Sequence, residues 1–456
     1  MAAWHDQLIE VMGAMGMREV RRMRGDRGRA IFYDTEEKIF KNLFKKVNMH
    51  FPEPCTEKVV GDCRWPMSLV YATMEQARTG RPPKEGFKIG KSGGGFDRIA
   101  FKFEESEGGE AREDDKRIDL SIELNKRGEG KRIRMKEPVY GGGMSFGSVS
   151  LNVMLARAMA ARELGSFVST GEGGYPDELI PYAEHIITQV ATGLFGVSEE
   201  TIQRSPIVEF KYAQGAKPGL GGHLLAGKVT EAVAIAREAV GGTSLFSPFP
   251  FHSVYSVEDH KKHVDWIKEI NPEALVLVKV STPTDVDMVA VGSYYAGANI
   301  LNIDGSYGGT GAAPEISKKN IAMPIEYAIP KVHRFLVEEG IRDEMVLMAS
   351  GGIRSAYDIA KAIALGADGA MVGTADLVAI GCERLGRCEK GGGCPAGITT
   401  TDRILASRIS PEWGKERIMN LRNSWHIQLR QILKALGMKS VKALRGRTDC
   451  LIYLEK

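Results

Sequence analysis

Three cysteines lie within thirteen residues of a glycine-rich stretch near the end of the chain. They are Cys382, Cys388 and Cys394, with five residues in each interval and Pro395 directly after the last. Thiolates held in one loop suit an iron–sulfur cluster, and proline recurs beside the ligands of such loops. A zinc site would favour a fourth ligand and a closer Cys-x2-Cys pair. Three reduced structural cysteines are the other alternative, and the spacing favours the cluster.

Two glycine turns come just before these cysteines. One apolar run ends at Ser350-Gly351-Gly352, apolar residues then recur at helical spacing from Tyr357 to Leu365, and a second apolar run ends at Gly373. The pattern predicts strand, turn, helix, strand and turn. In the last two βα loops of a barrel of parallel strands, the N–H groups of such turns commonly bind a phosphate. The stretch therefore predicts a phosphate-bearing cofactor beside a cysteine-ligated centre.

Lysines occur at or near the predicted ends of two other strands. Lys279 interrupts the apolar run Val276–Val280, where an unpaired buried charge is unfavourable. Near the strand end it would point into the mouth of a barrel and stabilise negative charge on a reduced flavin. The alternative is a lysine paired with a carboxylate in the core. Lys211 and Lys217 flank another strand end, where they would either hold a small dicarboxylate or lie on the solvated surface.

Three further polar residues are candidates for the same face. Glu172 lies in Thr-Gly-Glu-Gly-Gly and is either a sensor or proton relay, or a capping residue. Asp304 ends a strand, where it would order a backbone turn or bind a ribityl hydroxyl. Gln189 also ends a strand, where it would hydrogen-bond the edge of an isoalloxazine ring or satisfy neighbouring loop amides.

Strand–helix repeats that would position these residues begin at Pro138. Eight βα units predict an α/β fold, a (β/α)8 TIM barrel, with its site at the carboxyl ends of the strands. The eight candidate strands are Pro138–Gly143, Ser166–Ser169, His185–Val190, Ile207–Ala213, Leu275–Val280, Asn299–Ile303, Val346–Ala349 and Gly369–Val372. Polar, glycine-rich sequences follow four of them, at 142–148, 169–174, 214–219 and 304–311.

The remaining chain divides by composition into four segments around the barrel of residues 138–380. Residues 1–85 predict a mainly helical extension, 86–137 a small β region, 381–400 the cluster loop and 401–456 C-terminal helices. Expected helices are Trp4–Val20, Thr35–Val47, Pro411–Leu421 and Trp425–Met438, and expected strands are Arg98–Phe103 and Ile118–Leu124. The connection 221–274 is expected to line or cover the mouth. Cys55 and Cys63 are interpreted as reduced bystanders rather than metal ligands.

Composition excludes several classes of protein. The chain has 456 residues, 61 basic and 58 acidic side chains and a net charge of +3, without a charged tail that would indicate nucleic acid. No apolar run approaches the ~20 residues that span a bilayer. The start of the chain lacks a secretory signal, so the cytoplasm is the expected location. There, cysteines more often bind metals than form disulfides.

Residues 138–400 closely resemble the FMN-binding domain of the glutamate synthase large subunit. The shared phrases, in the family's order, are Gly143–Ser148, Ser169–Gly174, Gln189–Val197, Ala213–Gly219, Tyr255–Asp259, Asp304–Ala312 and Cys394-Pro-Ala-Gly-Ile398. The resemblance implies a barrel that binds FMN beside a 3Fe–4S cluster and reductively aminates 2-oxoglutarate with ammonia to L-glutamate.

The resemblance also implies roles by position. The residues that would face the flavin are Met144, Ser145, Ser169, Gln189, Lys211 and Lys279. Those that would hold its phosphate are Gly351, Gly352, Gly373 and Thr374. Gln214 and Lys217 would contact 2-oxoglutarate, and Glu172 would lie near the entry of ammonia. Cys382, Cys388 and Cys394 would ligate the cluster.

The sequence departs from the family at several points. Leu220 and His223 stand where the family's full-length bacterial form has a glutamate and a glutamine near the substrate, and the interval before Cys394 is one residue longer than in that form. No glutaminase domain precedes the barrel and no glycine-repeat β-helix follows it. The pattern resembles the stand-alone archaeal-type enzyme, with separate glutaminase and electron-donor subunits, the donor being a ferredoxin or an NAD(P)H-oxidising protein.

Two other functions are compatible with parts of this pattern. One is a related FMN enzyme that uses an amine, like N-methylglutamate synthase, against which the three-cysteine loop argues. The other is a non-catalytic flavin and cluster subunit for electron transfer, which Leu220 and His223 keep open.

Overall fold

Eight parallel strands form a closed barrel in the computed structural model. In chain order they are β1 Val139–Gly141, β2 Val168–Ser169, β3 Ile186–Ala191, β4 Ile207–Lys211, β5 Leu275–Ser281, β6 Ile300–Asp304, β7 Val346–Ser350 and β8 Gly369–Val372. Each pairs with the next, and β8 closes on β1. The predicted (β/α)8 barrel and its eight strands are therefore confirmed.

The structure describes residues 2–23, 34–44, 64–83, 95–103, 117–128, 130–309, 313, 317, 321–386, 388 and 393–454. Cys55 and Cys63, with the interpretation given to them, lie outside these residues. None of the described helices is long and apolar enough to span a membrane.

Helices cover the barrel because their apolar faces must be buried against the strands. The helices between or after the barrel strands are Leu151–Leu164, Glu199–Gln203, Glu231–Arg237, Val257–Ile270, Val286–Tyr295, Ile325–Glu338, Ala356–Leu365 and Thr374–Ala379. Those outside the barrel are Ala2–Ala14, Asp34–Lys41, Met67–Thr79, Arg403–Ala406, Pro411–Ala435 and Val441–Leu444. Short 3-10 helices are Val20–Met23, Gly95–Arg98, Asp177–His185, Ala226–Lys228 and Thr448–Cys450.

Two helices of the N-terminal extension are shorter than expected. The first ends at Ala14 rather than Val20, because Gly16 at φ 65° turns the chain into the left-handed region. The second is Asp34–Lys41, and residues 45–47 of its expected end lie outside the described chain.

The expected pair of C-terminal helices is one continuous helix, Pro411–Ala435. The predicted break spans residues 422–424, of which Arg422 and Ser424 are buried and therefore continue the packed face. Ser424 donates a hydrogen bond to Gln76 of the N-terminal helix Met67–Thr79 at 2.9 Å. The long helix also packs on the barrel helix Leu151–Leu164, so it joins the barrel to the extension.

The small β region pairs differently from a simple hairpin. Ile99–Phe101 pairs antiparallel with Leu451–Tyr453 at the other end of the chain, and Ile122–Glu123 pairs with Arg134–Met135. The C-terminal segment therefore contains a strand as well as helices. His223–Leu224 and Leu245–Phe246 form a further two-stranded sheet in the connection 221–274.

Candidate active site

A cavity of about 620 Å³ lies at the carboxyl ends of the barrel strands. This is a volume typical of cofactor and small-molecule sites, which span about 300–1,000 Å³. Of the predicted site residues, those that line it are Met144, Ser145, Glu172, Gln189, Lys211, Gln214, Lys217, Lys279, Asp304, Gly351, Gly352, Gly373, Thr374, Cys382, Cys388 and Cys394. Ser169 is not among the residues that line it, and its hydroxyl accepts a hydrogen bond from the backbone N–H of Gly171 at 3.3 Å.

Lysines and one carboxylate form one end of this cavity. The ammonium group of Lys211 lies 3.7 Å from a carboxylate oxygen of Glu172, and Ser247 donates a hydrogen bond to the other oxygen. Burial lowers the pKa of Lys211, and Glu172 partly opposes this effect. Lys217 and Lys279 are buried beside the same space. Several cations in a wall shielded from water can hold an anionic ligand firmly.

Glu209 provides a buried counter-charge that the sequence reasoning missed. It lies on β4 two residues before Lys211, which is paired in register with Lys279 on β5. Burial raises the pKa of Glu209 and Lys279 opposes the rise, while the side-chain amide of Gln189 donates a hydrogen bond to its carboxylate. Lys279 therefore has both expected features, a cavity position and a carboxylate near it. An acid inside the apolar run 207–210 was the available signal.

Asp304 at the end of β6 fixes two loops at once. One carboxylate oxygen accepts the backbone N–H of Gly215 at 2.8 Å, and the other accepts the hydroxyl of Ser350 at 2.6 Å. Of its two predicted roles, the described contacts show the ordering of a backbone turn. Through Gly215 it positions the segment that carries Gln214 and Lys217.

The connection 221–274 contributes to the wall, as expected. A side chain at Gly222 would place its Cβ 2.0 Å from a carboxylate oxygen of Glu172, so glycine is required for this close approach. Arg237 was missed, because no motif marks it. Its guanidinium donates to the hydroxyl of Ser145 at 3.0 Å and to the carbonyl of Phe146 at 3.2 Å, and its Nε has no hydrogen-bond partner among the described residues.

Glycine turns after β7 and β8 form a second part of the cavity wall. Gly351 and Gly352 have φ values of 84° and 116°, which L side chains rarely adopt. A Cβ at Gly351 would lie 2.3 Å from the carbonyl oxygen of Gly305. Gly373 and Thr374 follow β8 and line the same end. Backbone at this end can approach a ligand more closely than side chains would permit.

Four residues at this end were not predicted from the sequence. Arg64 and Trp65 come from the N-terminal extension, Tyr307 follows β6, and Arg384 lies between the first two cysteines. The predicted motifs cover the barrel and the cysteine loop but not residues 64 and 65.

The three cysteines line one rim of the cavity. Burial raises the pKa of Cys382, whereas backbone N–H groups of Thr399 and Ile398 overcome burial and lower the pKa of Cys394. The ammonium group of Lys228 donates to the carbonyl of Cys388 at 2.8 Å. Cysteine thiolates are soft ligands, which suits an iron–sulfur cluster. In the described part of the chain, however, no three ligating side chains lie close enough together to hold a metal ion.

A family model described as a conserved region in glutamate synthase matches residues 97–439. The chain belongs to this family. The archaeal glutamate synthase [NADPH] of Methanocaldococcus jannaschii is 44% identical over 320 residues, which cover 70% of this chain and 62% of that protein. The archaeal-type glutamate synthase [NADPH] of Thermotoga neapolitana is 42% identical over 345 residues, or 74% and 68% of the two chains.

A larger glutamate synthase also matches a similar share of this chain. The glutamate synthase [NADPH] large chain of Azospirillum brasilense is 36% identical over 315 residues, which are 68% of this chain and 21% of that protein.

Among solved structures, a mandelate oxidase mutant with an FMN adduct is 16% identical in sequence. Its TM-score is 0.46, and the match covers 90% of this chain and 94% of that chain.

The glutamate synthase match begins at residue 97, so Arg64 and Trp65 lie outside it. Of the two departures from the family pattern, His223 lines the cavity. Leu220 is not among the residues that line it.

Proposed function

We propose that this chain catalyses the reductive amination of 2-oxoglutarate with ammonia to L-glutamate. The observation that carries the proposal is one cavity lined both by buried lysines and by glycine turns. The cationic lysines suit a dicarboxylate, and the turns suit the phosphate of FMN. Family membership and the names of the relatives support the same reaction.

The cavity meets the requirements of a bound flavin. A Cβ at Gly142 would lie 2.1 Å from the sulfur of Met371, so this part of the wall admits backbone only. Gly351 and Gly352 leave backbone exposed in another part of the wall. Bound FMN would supply the hydride that reduces the imine carbon of the substrate. Gln189 and Lys279 would lie at the ring and favour negative charge there.

The chain's own residues would prepare the substrates. Lys217 and Gln214 would hold the carboxylates of 2-oxoglutarate, while the turn fixed by Asp304 keeps them in place. Ammonia condenses with the keto group with loss of water to give 2-iminoglutarate. Once protonated on nitrogen, this imine accepts a hydride at C2, which is two electrons and one proton, and becomes the amine of glutamate. Glu172, held between Ser247 and Lys211, is positioned to accept the proton that ammonium releases.

A direct assay tests this reaction. The purified flavin- and iron-loaded chain is mixed anaerobically with a reduced viologen dye, 2-oxoglutarate and ammonium, and glutamate is measured. We expect glutamate to form, and methylamine in place of ammonium to yield much less N-methylglutamate. Absence of glutamate with both cofactors loaded refutes the proposal, and a preference for methylamine assigns the amine-using reaction instead.

We further propose that Cys382, Cys388 and Cys394 ligate an iron–sulfur cluster of the 3Fe–4S type. Their shared rim of the cavity and the stabilised thiolate of Cys394 support this assignment. Cys394→Ser is expected to lose iron and the cluster's EPR signal while it retains FMN. Cys450→Ser is the matched control, since Cys450 lies beside Asp449 away from the cavity. Equal iron content in both variants refutes the assignment.

Electrons and ammonia are proposed to come from separate subunits. The relatives carry NADPH in their names, which supports an NADPH-oxidising donor over ferredoxin, and a separate glutaminase would supply ammonia. Addition of each candidate donor to the loaded chain, with glutamate formation as the measurement, distinguishes them. A donor that leaves the rate at background is excluded.

A further inference from the structure

The N-terminal extension reaches the glycine-turn end of the cavity, although it is remote in sequence. Arg64 is 8% exposed, and its guanidinium carbon lies 4.4 Å from the ring centroid of Tyr307. Tyr307 also packs on the glycine turn after β7, since a Cβ added at Gly352 would lie 3.0 Å from the Cβ of Tyr307. Arg64 is therefore held beside the turn by an aromatic ring.

The backbone of Arg64 is tied to the same turn. Arg354, two residues after Gly352, donates a hydrogen bond to the carbonyl of Arg64 at 3.1 Å. The rest of its guanidinium is occupied by buried ion pairs with Asp97 at 2.6 Å and Asp358 at 2.9 Å. Arg354 is committed to these carboxylates and does not line the cavity, so it does not provide the cavity with a positive charge.

A second arginine approaches from the cysteine loop. A Cβ at Gly309 would lie 3.2 Å from a terminal nitrogen of Arg384 and 2.3 Å from the hydroxyl oxygen of Thr374. The guanidinium of Arg384 thus lies beside the turn after β8. Its backbone is at φ 61°, an uncommon conformation for a residue other than glycine, and its guanidinium carbon is 5.8 Å from the ring centroid of Trp65.

Two of the described acids lie near this end. Glu326 is the buried carboxyl that acts on Arg64, and burial raises its pKa to about 7. This shift reduces its negative charge at neutral pH. Glu383 also lines the cavity. Two guanidinium groups beside turns of exposed backbone N–H groups form a binding site for a doubly charged phosphate, to which arginine can donate two parallel hydrogen bonds.

We propose that Arg64 of the N-terminal extension, together with Arg384, binds the phosphate of the flavin and makes the cavity selective for FMN over riboflavin. This inference rests on the flavin site of the proposed function. It assigns a binding role to a segment outside residues 97–439, the part matched by the family model.

Flavin affinity, measured without substrates or electron donor, tests the inference. The full chain is stripped of flavin, and the Kd values of FMN and riboflavin are determined by quenching of flavin fluorescence. Arg64→Met keeps an apolar side chain against Tyr307 and removes the charge. We expect FMN to bind roughly tenfold to hundredfold more weakly, the loss typical of a charge-assisted hydrogen bond, while riboflavin affinity changes less than about twofold.

Two further variants complete the experiment. Arg64→Lys is expected to fall between wild type and Arg64→Met, because lysine keeps the charge without the paired donors. Arg81→Met is the matched control, since Arg81 is an exposed arginine of the same extension. It should leave both affinities unchanged.

The outcomes separate this inference from the proposed function. Equal weakening of FMN and riboflavin by Arg64→Met shows that Arg64 only supports the wall, and unchanged FMN affinity shows that it has no role; either result overturns the inference. Wild-type chain that binds FMN yet forms no glutamate refutes the reaction alone. Wild-type chain that binds neither flavin refutes both.

Discussion

Replacement of Asp304 tests whether one buried carboxylate positions the substrate end of the cavity. Its two oxygens accept the N–H of Gly215 and the hydroxyl of Ser350. Asp304→Ala removes both acceptors. Ser350 has another acceptor, the side-chain carbonyl of Asn302 at 2.9 Å, so its hydroxyl stays satisfied. The N–H of Gly215 loses its acceptor, because the described contacts give it only the carboxylate of Asp304.

The expected loss is therefore that of one charge-assisted hydrogen bond, about 1.5–3 kcal/mol of unfolding free energy. The freed turn carries Gln214 and Lys217, so 2-oxoglutarate should also bind more weakly. If about 1.4 kcal/mol of this loss is taken from the binding free energy of 2-oxoglutarate, the Kd of 2-oxoglutarate rises roughly tenfold. Asp304→Asn should recover most of both effects, since its carbonyl accepts from Gly215 and its NH2 group donates to the Ser350 oxygen.

Urea unfolding midpoints measure the stability, and the change in the flavin absorption spectrum on addition of 2-oxoglutarate measures the affinity. Asp287→Ala is the control, because its carboxylate lies 3.7 Å from Lys331 in a partly exposed ion pair that contributes less than about 1 kcal/mol. If Asp304→Asn is as impaired as Asp304→Ala, the negative charge and not the hydrogen bonds holds the site, and the reasoning is wrong. A stability loss below that of Asp287→Ala contradicts it as well.

Further predictions concern stability, cofactor binding and pH. Burial would raise the pKa of Asp368, but the neighbouring Arg342 holds this pKa well below its usual range. The ionised carboxylate therefore stabilises the fold above the unfolded pKa of about 3.9, and this stabilisation is lost as the pH falls. Asp368→Asn should lower stability by about 3–5 kcal/mol at pH 7, and the difference from wild type in urea midpoint should shrink below pH 4. Gly351→Ala should abolish FMN binding, because its Cβ would meet a backbone oxygen at 2.3 Å; tight binding in a fluorescence titration would contradict this. Burial lowers the pKa of Lys211, so the affinity for 2-oxoglutarate should fall with rising pH at values below the usual lysine range. Lys211→Met should remove that pH dependence. A pH profile of the variant identical to that of the wild type would exclude Lys211 as its source.

The sequence predicted the barrel because its signals are local. Each strand is a short apolar run followed by a polar, glycine-rich turn, and parallel strands place those turns on one face. Lys279 and the turn at Gly351 were therefore predicted to lie near the same mouth, although they are 72 residues apart. The structure places both at one cavity.

Neighbouring residues were harder to identify when their role depends on a partner. Glu209 was missed because its importance comes from Gln189 and Lys279, which lie on the strands at either side of its own. Arg237 was missed because it ends a helix without a motif. A single strand pattern shows that a charge is buried, but not which charge is opposite it.

The sequence by itself determined the eight strands, the glycine turns and the cysteine loop, since each depends on residues close together in the chain. Only the tertiary structure decided that Ile99–Phe101 pairs with Leu451–Tyr453 and that Arg64 lies against Tyr307. These contacts join segments hundreds of residues apart. They depend on how the helix Pro411–Ala435 packs the two ends of the chain onto the barrel, and no local period of hydrophobicity specifies that arrangement.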